Sequence, residues 1–239
     1  MKNFLCNKIF LLVVVGAILS GSSPHKFADN KMLKVKAPNL VIHFNPVVKS
    51  DPLIFGKEYM SRSHEAFTVQ RLKFYVGKIR MRYLVERTRP KAWEEDDNYF
   101  LVDFSDSSTT SIKIFMTPGE YDAFSFLLGV DSLHNSSGAQ SGALDPAKGM
   151  FWTWNSGYVA FKFEGISPIS NGPAHAITYH IGGYRKPNNV SSRINLNSST
   201  KKILIEDGRL SQINITVDIS ALFQGPYPIS IKKIRKSDY

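Results

Sequence analysis

The residues able to do chemistry are few: six histidines, three tryptophans and one cysteine in 239 residues. Imidazole binds borderline metals such as copper and zinc, and thiolate binds soft ones. The cysteine, Cys6, precedes an apolar run, Ile9 to Leu19. His25 lies in a Lys-rich stretch and His64 in a turn beside Glu65, both expected in solvent. His134 falls in a Ser/Asn loop (SLHN), also expected exposed, while His43, His175 and His180 fall on expected strands. Glu94 to Asp97 offer four consecutive carboxylates, but without the spacing or glycine of a calcium loop they predict a solvated turn. An enzyme needs a nucleophile with its base, a carboxylate pair or a metal cage. No GxSxG, HExxH, P-loop or GxGxxG occurs, so the sequence points to a binding protein and not an enzyme.

Those residues are carried by a chain dense in strand signals. Leu128 to Gly165 contains a Ser/Gly/Ala-rich loop, then Met150, Phe151, Trp152 and Trp154, then a strand in which Val159, Phe161 and Phe163 share one face. A long ordered loop thus delivers an aromatic cluster to a core strand, and large rings there are expected to anchor the core. Ala66 to Val85 is the longest β-rich run. Its apolar phase slips twice, from Phe67/Val69 to Leu72/Phe74/Val76 and then to Ile79/Met81/Tyr83, which predicts bulges near Gln70 and Gly77.

Further strands are expected at Asn39 to Val48, with Pro46 marking an edge or bulge, and at Leu53 to Tyr59. Thr88 to Asp97 is expected to be a loop. Tyr99 to Phe104 and Ser111 to Met116 are expected to form a hairpin around DSSTT, followed by an apolar run, Tyr121 to Val130. His175 to Ile181 reads as a strand with Thr178 and His180 on one face. Val190 to Leu196, Lys202 to Ile205, Gln212 to Ile219 and Ile229 to Ile234 complete the set, with one helical turn at Ala221 to Phe223. This spacing, with turn residues between, predicts an all-β, antiparallel β-sandwich-like single domain with long loops.

The front of the chain is organised differently. Lys2 and Lys8 precede the apolar run, and small residues Ser20 to Ser23 follow it, the pattern of a signal peptide over residues 1–22. The run is well short of the ~20 residues that span a bilayer. Residues 23–38 are polar and Lys-rich, an N-terminal tether, and residues 39–239 form the domain. The expected location is the periplasm, the extracellular space or the cell envelope, with no integral membrane segment after cleavage. Cleavage also removes Cys6, so no disulfide or thiolate site can form. The formal charge is +10. Its cations are spread along strands, which suits solubility better than nucleic-acid binding. An anionic cell-surface partner stays open.

The motifs GVD, SGAQSGALDPAKGMFWTWNSGY, FKFEG, FTVQRLKFYVGKIRM, NYFLVDF and YHIGGY resemble those of the MbnP-like family of exported bacterial proteins. The resemblance spans Asn39 to Arg235. It implies copper as the candidate cofactor, held by His together with a tryptophan oxidised to kynurenine. It also implies a partner, a di-haem peroxidase-type enzyme or another copper-handling protein. HIGG matches a recurring family element and makes His180 the first candidate ligand. His43 is the second, provided its strand runs beside that of His180, and Trp152 and Trp154 of MFWTW are the candidate aromatics near such a site. The family's first strand often carries a His near the position of Pro46, a departure in this chain. The alternative is a metal-free cell-envelope interaction or ligand-binding module. N-terminal sequencing of the exported protein is expected to start between Gly21 and Ala28 with no lipid; a retained Met1 or acylated Cys6 would contradict the signal peptide.

Overall fold

The computed structural model describes residues 13–16, 37–83, 92–153, 157–197, 202–224, 229 and 231. Among them the strands are β1 (Val13–Gly16), β2 (Leu40–Val48), β3 (Asp51–Pro52), β4 (Glu58–Met60), β5 (Ala66–Tyr83), β6 (Ala92–Asp103) and β7 (Ser111–Ile114). After them come β8 (Gly119–Leu128), β9 (Phe151–Thr153), β10 (Gly157–Ile166), β11 (Ala176–Gly182), β12 (Ser192–Asn197), β13 (Ile203–Ile205) and β14 (Ser211–Asp218). Among the described residues a single short α-helix, α1 (Ser132–Ser136), lies between β8 and β9. No helix among the described residues is long and apolar enough to cross a membrane.

The strand β5 organises the larger sheet because both of its edges are used. Thr68 lies between Glu58 of β4 and Ile166 of β10, and Val76 lies between Phe100 of β6 and Leu128 of β8. The sheet continues outward as β11 on β10 and β12 on β8, with β13 also on β8 and β9 on β10. Both expected bulges are present. Val69 pairs with Gly165 and Arg71 with Glu164, leaving Gln70 unopposed. Against β8, Gly77 pairs with Leu127 and Arg80 with Ser125, so Lys78 and Ile79 stand opposite Phe126 alone, with the extra residue Lys78 at φ +46°. These slips let Phe67, Val69, Leu72, Phe74, Val76, Ile79 and Met81 all enter one core, each at most 1% exposed.

The smaller sheet has the order β1-β14-β2-β3, with β7 also on β2. Leu40, Ile42 and Phe44 of β2 and Ile213, Ile215 and Val217 of β14 face the same core. Phe44 bridges the layers, edge-on to Phe74 at 5.6 Å and to Phe126 at 5.8 Å. Each such ring contributes about 1.5–3 kcal/mol on burial. The fold is thus all-β and sandwich-like, as the alternation predicts.

Several local expectations are corrected. Residues Ala92 to Asp97 are not loop but the first half of β6, paired with β5 through Arg80–Glu94 and Ile79–Glu95. The residues around DSSTT are not a hairpin, because β6 joins the larger sheet and β7 the smaller, so the turn crosses between layers. The expected strand at Leu53 to Tyr59 is mostly turn: β3 ends before it at Pro52, and only Glu58 and Tyr59 belong to a strand, β4. The β14–β2 pair is parallel, unlike the others. Most of Ile229 to Ile234 lies outside the described residues.

Asn39 locks the smaller sheet at the start of β2. It is 3% exposed; its Nδ2 donates to the Met116 carbonyl at 3.0 Å and its Oδ1 accepts from the Met116 N–H at 2.8 Å. Removing this amide leaves two polar groups of a buried residue without partners, each worth about 1–3 kcal/mol. Asn39→Ala is therefore expected to lower stability by about 3 kcal/mol, read as a lower urea midpoint with unchanged slope.

Candidate functional site

On β10, Phe161 and Phe163 point into the core, so Lys162 and Glu164 point outward. Lys162 stands between Lys73 of β5 and His180 of β11, and Glu164 between Arg71 and Thr178. The result is a polar ladder across the outer face of the larger sheet. His180 Nε2 lies 2.7 Å from Glu164 Oε1, and Arg71 Nη1 donates to Glu164 Oε2 at 2.7 Å. Partial burial works against the Glu164 charge. The hydrogen bond from His180 and the charges of Arg71, His180 and Lys162 outweigh it and hold the carboxyl below its usual range. A carboxylate at Nε2 selects that nitrogen as the protonated one, leaving Nδ1 of a neutral His180 with the lone pair. Burial, ahead of the neighbouring charges, lowers the Lys162 pKa, and its Nζ donates to the Gly149 carbonyl.

Trp152 meets this face. Its ring lies against Gly182, where a Cβ would sit 2.7 Å from Trp152 Cζ3. Gly182 and His180 are two residues apart on one strand and share a face, so Trp152 and His180 belong to one surface. Trp152 is 39% exposed, which corrects its expected role as a core anchor. Met150 and Tyr158 supply the buried anchors instead, and Phe151 packs 4.8 Å from Tyr158. Trp154 lies outside the described residues.

The other candidates are elsewhere. His43 points away from the core on the smaller sheet, its Nδ1 2.8 Å from Ser111 Oγ. Its strand β2 pairs with β14, β7 and β3, not β11. His43 and His180 therefore face out on opposite layers, and the condition for a shared ion is not met. His175 belongs to a 3-10 turn, Pro173–His175, with φ +59°, not to a strand. His64 is exposed in a turn, and His25 lies outside the described residues. Among the described residues no group of three or more His, Cys, Asp or Glu side chains is placed to hold a metal. His180 and Glu164 offer one imidazole and one carboxylate, a pair that fits part of a copper coordination sphere and requires a further donor.

His134 is not exposed but half-buried. Its Nδ1 lies 3.0 Å from Asp131 Oδ1, its ring stands edge-on to Tyr99 at 4.8 Å, and Asp131 also caps α1 through the His134 N–H. Lys78 Nζ reaches Asp131 Oδ2 at 3.0 Å. The N-cap Asp three residues before His was visible in the sequence; the bulge that brings Lys78 to it is a tertiary matter.

Around α1 the long loop closes a second cluster of Tyr75, Tyr99, Val130, Leu144, Met150, Tyr158 and Val159 on the outer side of β5. Asn135, 3% exposed, donates to the Val130 and Asp131 carbonyls and accepts from the Tyr158 N–H at 2.8 Å. Gly157, at φ +72°, leaves room for it: a Cβ there would lie 2.3 Å from Asn135 Oδ1. Beside this loop a cavity of about 330 Å³ opens between β6 and β7, lined by Lys73, Asp103, Tyr99, Ser111 and Lys148 among others.

A sequence model of the MbnP family matches residues 37–237. The chain belongs to the MbnP family. Among solved structures it is similar to MbnP from Methylosinus trichosporium, at 16% identity and a TM-score of 0.52, covering 83% of this chain and 80% of that one. At that identity the likeness shows the shared fold. No curated protein matches it. In this MbnP-family chain the motif FTVQRLKFYVGKIRM is β5, and MFWTW leads through β9 toward β10.

The capping carboxylate has a pH signature. Burial opposes the Asp131 charge, but the His134 backbone and ring and the Lys78 ammonium outweigh it and hold the carboxyl far below the usual range. A depressed folded pKa gives stability above the unfolded value of about 3.9 and loses it as pH falls through the folded one. Asp131→Ala is expected to cost about 2 kcal/mol at pH 7. The gap should narrow below about pH 4, measured by urea unfolding across pH.

Proposed function

We propose that the chain is an exported, non-enzymatic binding protein that takes copper on the outer face shared by His180 and Trp152. The observation that carries it is the Trp152 ring seated on Gly182, two residues from the family-matched histidine. His180 would present Nδ1, with Glu164 and Arg71 fixing the imidazole from its other nitrogen, as carboxylates commonly orient ligating histidines. Copper bound there would supply redox and ligand-exchange chemistry; the chain's own residues bind and orient it. The remaining donor is expected from outside the described residues or from a partner. By family likeness the partner is a di-haem peroxidase-type enzyme or another copper-handling protein. The location is the periplasm or cell envelope, reached by cleavage of residues 1–22.

A second reading, a metal-free ligand-binding module, is favoured by the cavity beside β6. Its Lys73–Asp103 pair at 2.7 Å, its hydroxyls and the edge of Tyr99 suit a small polar ligand.

Competition of Cu(I) against a chromogenic chelator separates the two. His180→Ala is expected to weaken binding by orders of magnitude, since no thiolate can compensate. His43→Ala and His64→Ala are expected to bind as wild type does. Equal affinity in all four proteins would end the His180 assignment, and an absence of binding by wild type would favour the cavity.

A further inference from the structure

The strand β14 has two neighbours of different kinds. Along one edge it pairs with β2 over eight residues in unbroken parallel register, Ser211–Leu40 to Asp218–Val47. Among the described residues its other edge is covered by β1 alone, antiparallel, from Val13–Val217 to Gly16–Asn214. That covering strand lies within the apolar run of the proposed leader. Once residues 1–22 are cut away, the edge loses its partner.

A bare edge is a template for another strand, and proteins guard such edges with lysine, proline, bulges or short length. The β14 edge has none of these. Its sequence, SQINITVD, contains no lysine or proline and runs in register throughout. Ser211, Ile213, Ile215 and Val217 are buried, whereas Gln212, Asn214, Thr216 and Asp218 face outward and are half-buried. We infer that the vacated β14 edge pairs antiparallel with β14 of a second copy, making a two-fold dimer with one sheet continuous across it. The inference rests on the reading of residues 1–22 as a cleaved leader.

The choice of a second copy follows from the residue pattern. Antiparallel pairing sets same-face residues opposite each other. With the two-fold axis at Ile215, Ile213 faces Val217, Asn214 faces Thr216 and Gln212 faces Asp218. Aliphatic residues meet aliphatic ones, neutral polar residues meet their like, and the single acid never meets its copy. Asp218 is also already engaged by the Lys49 and Ser220 N–H groups. Such self-complementarity is what an isologous interface requires.

The test uses protein exported with its own leader and purified from the envelope, its N-terminus fixed by intact mass. Sedimentation equilibrium between about 1 and 100 µM is expected to give a dimer for wild type. Thr216→Lys puts a charge on the outward face without touching the core. It is expected to weaken dimerisation at least tenfold, with unchanged circular dichroism and thermal midpoint. Amide exchange in residues 211–218 is expected to be slow in the dimer and faster in the variant. A leader-free wild type that stays monomeric overturns the dimer, as does a dimer indifferent to Thr216→Lys. A mass that retains the leader overturns the leader reading itself, a different and recognisable failure.

Discussion

Everything on the outer side of the larger sheet depends on the extra residue at Lys78. A regular strand would alternate through this point and carry Ile79 and Met81 out of the core. The bulge restores their phase and, at φ +46°, turns the Lys78 side chain toward Asp131. The Lys78 carbonyl is not lost to the ladder, since Arg193 Nη1 donates to it at 3.0 Å. One irregularity thus serves two layers: it keeps the sandwich apolar and supplies the cation that holds the start of the long loop. Through Asp131 the same contact fixes α1, His134 and the entry to the second aromatic cluster.

How much of this can be read from residues alone varies with the range of the cause. The bulges were legible because each is a local break in period along β5, at Gln70 and beside Gly77. The core of β14 was legible from its clean alternation. Ala92 to Asp97 were not, because four successive acids resemble a solvated turn. Their strand exists because the far half of β5 offers an edge, with Glu94 opposite Arg80. Nor can turn residues such as DSSTT say which layer the next strand will join. The first of the two candidate ligands, His180, was placed on the correct face by alternation, but its partners Glu164 and Arg71 lie on other strands. Nothing local links them, and nothing local reveals that His43 sits on the opposite layer.

The two outer faces of the sandwich are consequently unlike. The smaller sheet turns out His43, Asn45, Asn214 and Thr216, mostly neutral groups. The larger sheet turns out the ladder of Arg71, Lys73, Lys162, Glu164 and His180, with Trp152 at its end. Neighbouring charges on that ladder are largely paired, so the face is polar without being strongly cationic, although the chain carries a formal +10. A surface of satisfied ion pairs flanking an exposed indole suits recognition by shape and hydrogen bonding more than by long-range attraction.

The phenol of Tyr158 gathers the long loop at a single point. It donates to the Leu144 carbonyl at 2.8 Å, lies 3.2 Å from that of Gly138, and accepts from the Gln140 N–H at 3.0 Å. Beside it the Tyr75 hydroxyl is buried with no partner among the described residues. With the Lys78–Asp131 pair at its start and Asn135 bonded to the Tyr158 N–H, the loop's fastenings converge on one cluster, and it cannot fray piecemeal. Residues 130 to 150 should instead open and close as one cooperative unit above an intact sandwich, in the manner of a sub-global unfolding event. The aromatic segment carrying Trp152 would then be released and reseated in a single motion.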